Sequence, residues 1–188
     1  GDGTFQPEIA RNVSKDMELR DVRASDFDGD GNVDLALTDS YYQQVIVLLG
    51  RGDGTFREGE LVSDLGGNPL DMATADVDLD GDRDLAFIYE DSAYFYVLFN
   101  QGNGRFAGSY ACPTPTWNYS YPTGISAADL DGDGDDDMIV SHNSDFTIFE
   151  NDGAGAFTGL GGYNVDGDLP MVCVGDFDGD GDRDLAGT

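Results

Sequence analysis

Four nine-residue blocks concentrate carboxylates along this 188-residue chain: DFDGDGNVD from Asp26, DVDLDGDRD from Asp76, DLDGDGDDD from Asp129 and DFDGDGDRD from Asp176. Acids at positions 1, 3, 5 and 9, with a glycine at 6 for a sharp turn, can wrap oxygen atoms around a hard cation that needs six to eight of them. Without a cation, carboxylates packed this closely repel one another. Magnesium fits poorly, because it demands a small octahedral site and keeps its waters. Calcium is the expected ion, one per block and up to four in all.

The spacing begins like an EF-hand loop and then departs from it. Position 12, where an EF-hand carries glutamate, is Leu37, Phe87, Val140 or Gly187. Strand-forming residues follow, so each block is expected to join two strands.

A second motif recurs in register with the first: GDGTF ending at Phe5, GRGDGTF at Phe56, NQGNGRF at Phe106 and NDGAGAF at Phe157. Two interleaved series with a period near 50 residues define a repeat protein. Each period reads as four short strands. In the second, residues around Leu70 to Ala75 precede the acidic block and DLAFIYE follows it. YFYVLFN comes next, then the turn at Gly102 to Gly104, then RFAGSYA. These runs are rich in β-branched and aromatic residues, bounded by Gly, Asp and Asn. They are apolar on successive residues, so both sheet faces should be covered, as in sheets stacked blade on blade. The expected architecture is all-β: a β-propeller of four-stranded antiparallel blades.

D-x-D-x-D-G-x-x-D between strands, paired with a glycine-rich turn ending in Phe, resembles the FG-GAP/VCBS repeats of integrin α-subunit propellers, which are often seven-bladed. The resemblance covers essentially the whole chain and implies a calcium-binding propeller. It assigns as ligands Asp26, Asp28, Asp30 and Asp34 with the Asn32 carbonyl, then Asp76, Asp78, Asp80 and Asp84 with that of Asp82. In the third block they are Asp129, Asp131, Asp133 and Asp137 with the Asp135 carbonyl. In the fourth they are Asp176, Asp178, Asp180 and Asp184 with the Asp182 carbonyl. Residues 1–19 read as an outer strand and connection from a preceding blade, 20–62 as the first blade and 63–111 as the second. Residues 112–164 read as the third blade, opening with an aromatic and Pro-rich loop at 112–123, and 165–188 as the start of a fourth. The chain therefore reads as a segment of a larger propeller, with further blades of the same chain, or another copy, as its neighbours.

A formal net charge of −29, from 38 acidic and 9 basic residues, argues against nucleic acid as a partner, because phosphates would be repelled. No apolar run approaches the ~20 residues needed to span a bilayer. Cytosolic calcium is too low to fill sites of extracellular affinity, so a secreted or cell-surface location is expected.

Acidic loops and glycine-rich turns share one face of such a propeller. On the other lie Trp117, Tyr119 and Tyr121 in CPTPTWNYSYPTG, together with Tyr41 and Tyr42. Exposed aromatics on a stiff loop can stack on sugars or anchor a protein; alternatively they cover the channel mouth or pack between blades. Asn12 (NVS) and Asn118 (NYS) are glycosylation sequons on that side. Cys112 and Cys173 read as two buried thiols rather than a bridge, and the lone His142 as a surface polar group. No nucleophile–base pairing is suggested, so the chain is not expected to be an enzyme. The expected role is an extracellular binding module for a glycan or protein. The alternatives are a structural unit of a surface protein or filament, or an accessory domain of a secreted carbohydrate-active enzyme.

Overall fold

The apolar runs all become strands in the computed structural model, which describes residues 17–62, 65–114, 121–165 and 171–187. The first sheet comprises β1 (Leu19–Ser25), β2 (Asp34–Asp39), β3 (Gln44–Gly50) and β4 (Phe56–Val62). The second comprises β5 (Pro69–Ala75), β6 (Asp84–Tyr89), β7 (Tyr94–Asn100) and β8 (Phe106–Pro113). The third comprises β9 (Gly124–Ala128), β10 (Asp137–Ser141), β11 (Asp145–Asn151) and β12 (Phe157–Asn164), and a fourth holds β13 (Val172–Gly175) and β14 (Asp184–Gly187). Each four-stranded sheet is an antiparallel meander in chain order, and β13 pairs with β14 in the same sense. Among the described residues, no helix is long and apolar enough to cross a membrane.

The sheets stack as propeller blades. Innermost strand lies against innermost strand, β1 on β5, β5 on β9 and β9 on β13. Most of the apolar core sits between blades; a smaller cluster of Leu37, Ile46 and Leu48 lies on the other face of the first blade. Phe27, Val45, Val47, Met72 and Phe87 fill the first junction; Phe95, Val97, Met138, Val140 and Phe149 fill the second. Ile139, Val172 and Leu185 meet at the third. Because β3 has a covered surface on both faces, all seven of its residues are buried. The outer strands β4, β8 and β12 are largely exposed.

Three expectations are corrected. Strand β8 runs through Pro113, so Cys112 belongs to the second blade and not to the loop at 112–123. Both cysteines are free; Cys112 is buried as expected, but Cys173 is exposed. His142 is not a surface residue: it is 1% exposed. It directly follows β10, which is buried along its whole length. Its Nδ1 lies 3.1 Å from Asp145 Oδ1, and burial holds its pKa below the usual histidine range.

Candidate metal centre

Each acidic block links the first two strands of its blade, and its turn is built from its own side chains. The position-1 carboxylate caps the glycine at 6: the Gly31 N–H donates to Asp26 Oδ2 at 2.8 Å, and the Gly81 N–H to Asp76 Oδ2 at 3.0 Å. Gly31 and Gly81 sit at φ 84° and 94°, a conformation that a Cβ disfavours. The position-5 carboxylate accepts the N–H of position 7, at 2.8 Å for Asp30 and Asn32, 2.9 Å for Asp80 and Asp82, 3.1 Å for Asp133 and Asp135, and 2.9 Å for Asp180 and Asp182.

The position-9 carboxylate is a clamp. Asp34 accepts the Phe27 N–H at 2.8 Å and the Gly50 N–H at 2.6 Å. Asp84 does the same with Val77 (3.0 Å) and Asn100 (2.7 Å), and Asp137 with Leu130 (3.1 Å) and Asn151 (3.0 Å). Asp184 accepts the Phe177 N–H at 2.8 Å. In the complete blades this one side chain ties the loop to the end of the third strand.

Carboxylate oxygens converge in every block. Asp26, Asp28 and Asp34 each offer an oxygen within 4.8 Å of the others, as do Asp76, Asp78 and Asp84, and Asp176, Asp178 and Asp184. In the third block the converging set is Asp129, Asp131 and Asp133. Positions 1 and 3 therefore meet in all four loops. Asp30, Asp80, Asp137 and Asp180, expected as ligands, lie outside these convergent sets. The side chains of Asn32, Asp82 and Asp135, whose carbonyls were expected as ligands, lean on their own blade's turn, where a Cβ added at Gly52, Gly102 or Gly153 would lie 2.4, 2.4 or 3.3 Å from them.

The donor set fits a hard cation. Asp26 Oδ1, Asp76 Oδ1, Asp78 Oδ1 and Asp135 Oδ1 are buried without a hydrogen-bond partner, a costly condition for a carboxylate. Burial pushes Asp84 up to about 6 against the opposing hydrogen bonds from Asn100 and Val77. Asp135 is likewise pushed to about 6, by burial and then by Asp133, Asp137 and the other acids around it. A calcium ion would supply the missing counter-charge and be coordinated by these unpartnered oxygens.

The loops also lock neighbouring blades together. The position-2 side chain tucks under the next blade: Phe27 lies edge-on to Phe106 at 5.8 Å, and Val77 packs in the same cluster as Phe157. The Asn100 Nδ2 donates to the Phe27 carbonyl at 2.9 Å and to that of Arg83 at 3.0 Å. Asn151 repeats this with Val77 (2.9 Å) and Asp136 (3.2 Å). The two sequence motifs thus share one physical unit, loop of one blade under turn of the next. That joint matches a family model described as FG-GAP-like repeat over residues 26–87, 76–140 and 129–186. The chain belongs to the FG-GAP-like repeat family.

Solved structures of similar fold include the BBS1N chain of its complex with ARL6DN, at 15% identity and TM-score 0.59, over 82% of this chain and 47% of that one. A chain of the Photorhabdus luminescens Tc holotoxin pore matches at 18% identity and TM-score 0.53, over 94% of this chain and 11% of that one. This FG-GAP chain thus spans about half the length of the first and a tenth of the second. Comparison with curated protein sequences finds no match.

At the opposite end of the blades, Tyr41 and Tyr42 cap the β2–β3 hairpin, 65% and 48% exposed, with rings edge-on at 4.8 Å. Buried Asp39 shapes this hairpin: its Oδ1 accepts the N–H of Tyr41 (3.0 Å) and of Glu18 (3.1 Å), and its Oδ2 accepts Gln44 Nε2 (3.0 Å). Tyr121 is exposed just before β9, and Tyr94, which the sequence reading missed, is exposed at the start of β7. Trp117, Tyr119, the sequons at Asn12 and Asn118 and the turn ending at Phe5 lie outside the described residues.

Proposed function

We propose that this chain is an extracellular binding module, stiffened by structural calcium, that recognises a glycan or protein ligand with its tyrosine-bearing loop end. The observation that carries the reading is the pair Tyr41 and Tyr42, largely exposed yet held on a hairpin that a buried carboxylate organises. Rigid, exposed tyrosines supply contact area at low entropic cost. Tyr94 and Tyr121 extend the same end. The acidic loops lie at the far end and serve as girders. No catalysis is assigned, and the one histidine is buried beneath the surface.

The test is a glycan-array and surface-protein screen in millimolar calcium, repeated in chelator. Binding that is lost with Tyr41→Ala and Tyr42→Ala while the fold is kept supports the reading. Binding indifferent to both substitutions and to chelator defeats it.

A further inference from the structure

The four acidic loops are not equivalent, and one difference is an arginine beside the first. Arg57, the residue after the turn phenylalanine of the first blade, places Nη2 2.7 Å from Asp28 Oδ2. Asp28 is the position-3 acid of the first loop, and its side chain is only 9% exposed. The equivalent residues of the next two blades are Ala107 and Thr158, which carry no charge. The contrast shows in the loops themselves. Asp78, the counterpart of Asp28, keeps a buried oxygen with no partner, while Asp28 has both oxygens engaged, Oδ1 by the Asp30 N–H at 3.3 Å and Oδ2 by Arg57.

We propose that Arg57 is a built-in competitor for the first loop, so that this loop fills at higher calcium than it would with a neutral residue in that place. The inference rests on the reading of the loops as calcium sites. A dication seated among Asp26, Asp28 and Asp34 must either displace the guanidinium from Asp28 or accept a positive charge a few ångströms away. Both weaken binding. The guanidinium is half exposed, so solvent screens the effect and the expected size is modest, roughly three- to tenfold in dissociation constant. As calcium falls, the first loop would then empty before the others, and it packs directly under the second blade, where a Cβ at Gly104 would lie 3.5 Å from Asp28 Cβ.

Gly31 and Gly81 donate to the position-1 carboxylates of loops 1 and 2, so their amide resonances report each loop separately in a calcium titration of the whole chain. Arg57→Gln should move the Gly31 midpoint to roughly three- to tenfold lower calcium and leave Gly81 unmoved. Ala107→Arg, on the exposed face of β8, should move the Gly81 midpoint the other way. Raising the salt should shrink both shifts, because exposed charges are screened. A Gly31 midpoint that is unchanged or rises in Arg57→Gln, while Gly81 still titrates, overturns this inference alone. If neither glycine responds to calcium, the calcium reading falls and this inference with it.

Discussion

Arg23 on β1 and Asp71 on β5 meet at 2.8 Å, and the other oxygen of Asp71 accepts the Ile125 N–H of β9 at 2.9 Å. One carboxylate therefore joins the inner strands of three successive blades. Asp21 makes the corresponding contact between the first and second blades, accepting the Met72 N–H at 3.0 Å. In the third blade Gly124 occupies this position, and Ser126 donates to the Val172 carbonyl instead.

Burial raises Asp71 to about 6, against the pull of the Ile125 amide and Arg23. A folded-state value above the ordinary 3.8 means that the stability due to this carboxyl is complete below about pH 4 and is lost as pH rises through about 6. The Ile125 amide should titrate with a midpoint near 6. Asp71→Asn should abolish that titration and flatten the stability profile over the same window. A midpoint near 4 would contradict the assignment.

Asn100→Ala leaves the Phe27 and Arg83 carbonyls without their donor. The expected loss is about 2–3 kcal/mol in denaturant unfolding. The first blade has Gly50 at this position, where a Cβ would lie 2.2 Å from the Val33 carbonyl oxygen. Gly50→Asn should therefore destabilise the chain rather than add a further cross-link.

Leu79 holds φ 57° at loop position 4, where the other three loops have glycine. A branched side chain in this left-handed region costs on the order of 1 kcal/mol. Its Cδ1 lies 3.3 Å from where a Cβ on Gly153 of the next blade would stand, so only a glycine there leaves it room. Leu79→Gly should change stability by less than about 1 kcal/mol in thermal unfolding, far less than removal of an equally large buried leucine.

Calcium withdrawal should be felt throughout. With a dissociation constant of ~0.1 mM, 1 mM calcium stabilises by roughly 1.4 kcal/mol per filled loop. A chelator should lower the melting temperature measurably, and magnesium at the same concentration should restore little of it.

The repeat, the strands and the acidic loops were legible because each rests on local spacing. The roles of single aspartates were not. Asp34 and Asp84 stand in the motif as metal ligands, but their amide partners at Gly50 and Asn100 lie across a hairpin whose register no spacing rule supplies. Asp39 was overlooked because it lies outside the blocks, although it is fully buried. The burial of His142 was readable in principle: β10 is buried along its whole length, and the histidine directly follows it.

The joint between one blade's acidic loop and the following blade's glycine-rich turn also bears on how such a chain can change length. Each roughly 50-residue period presents a loop on one side and the turn that receives a loop on the other. A duplicated period arrives with both halves of its interface already matched, so a tandem insertion requires no new complementary surface. Gene duplication can lengthen the array in steps of a single blade, and the loss of a whole period rejoins compatible partners.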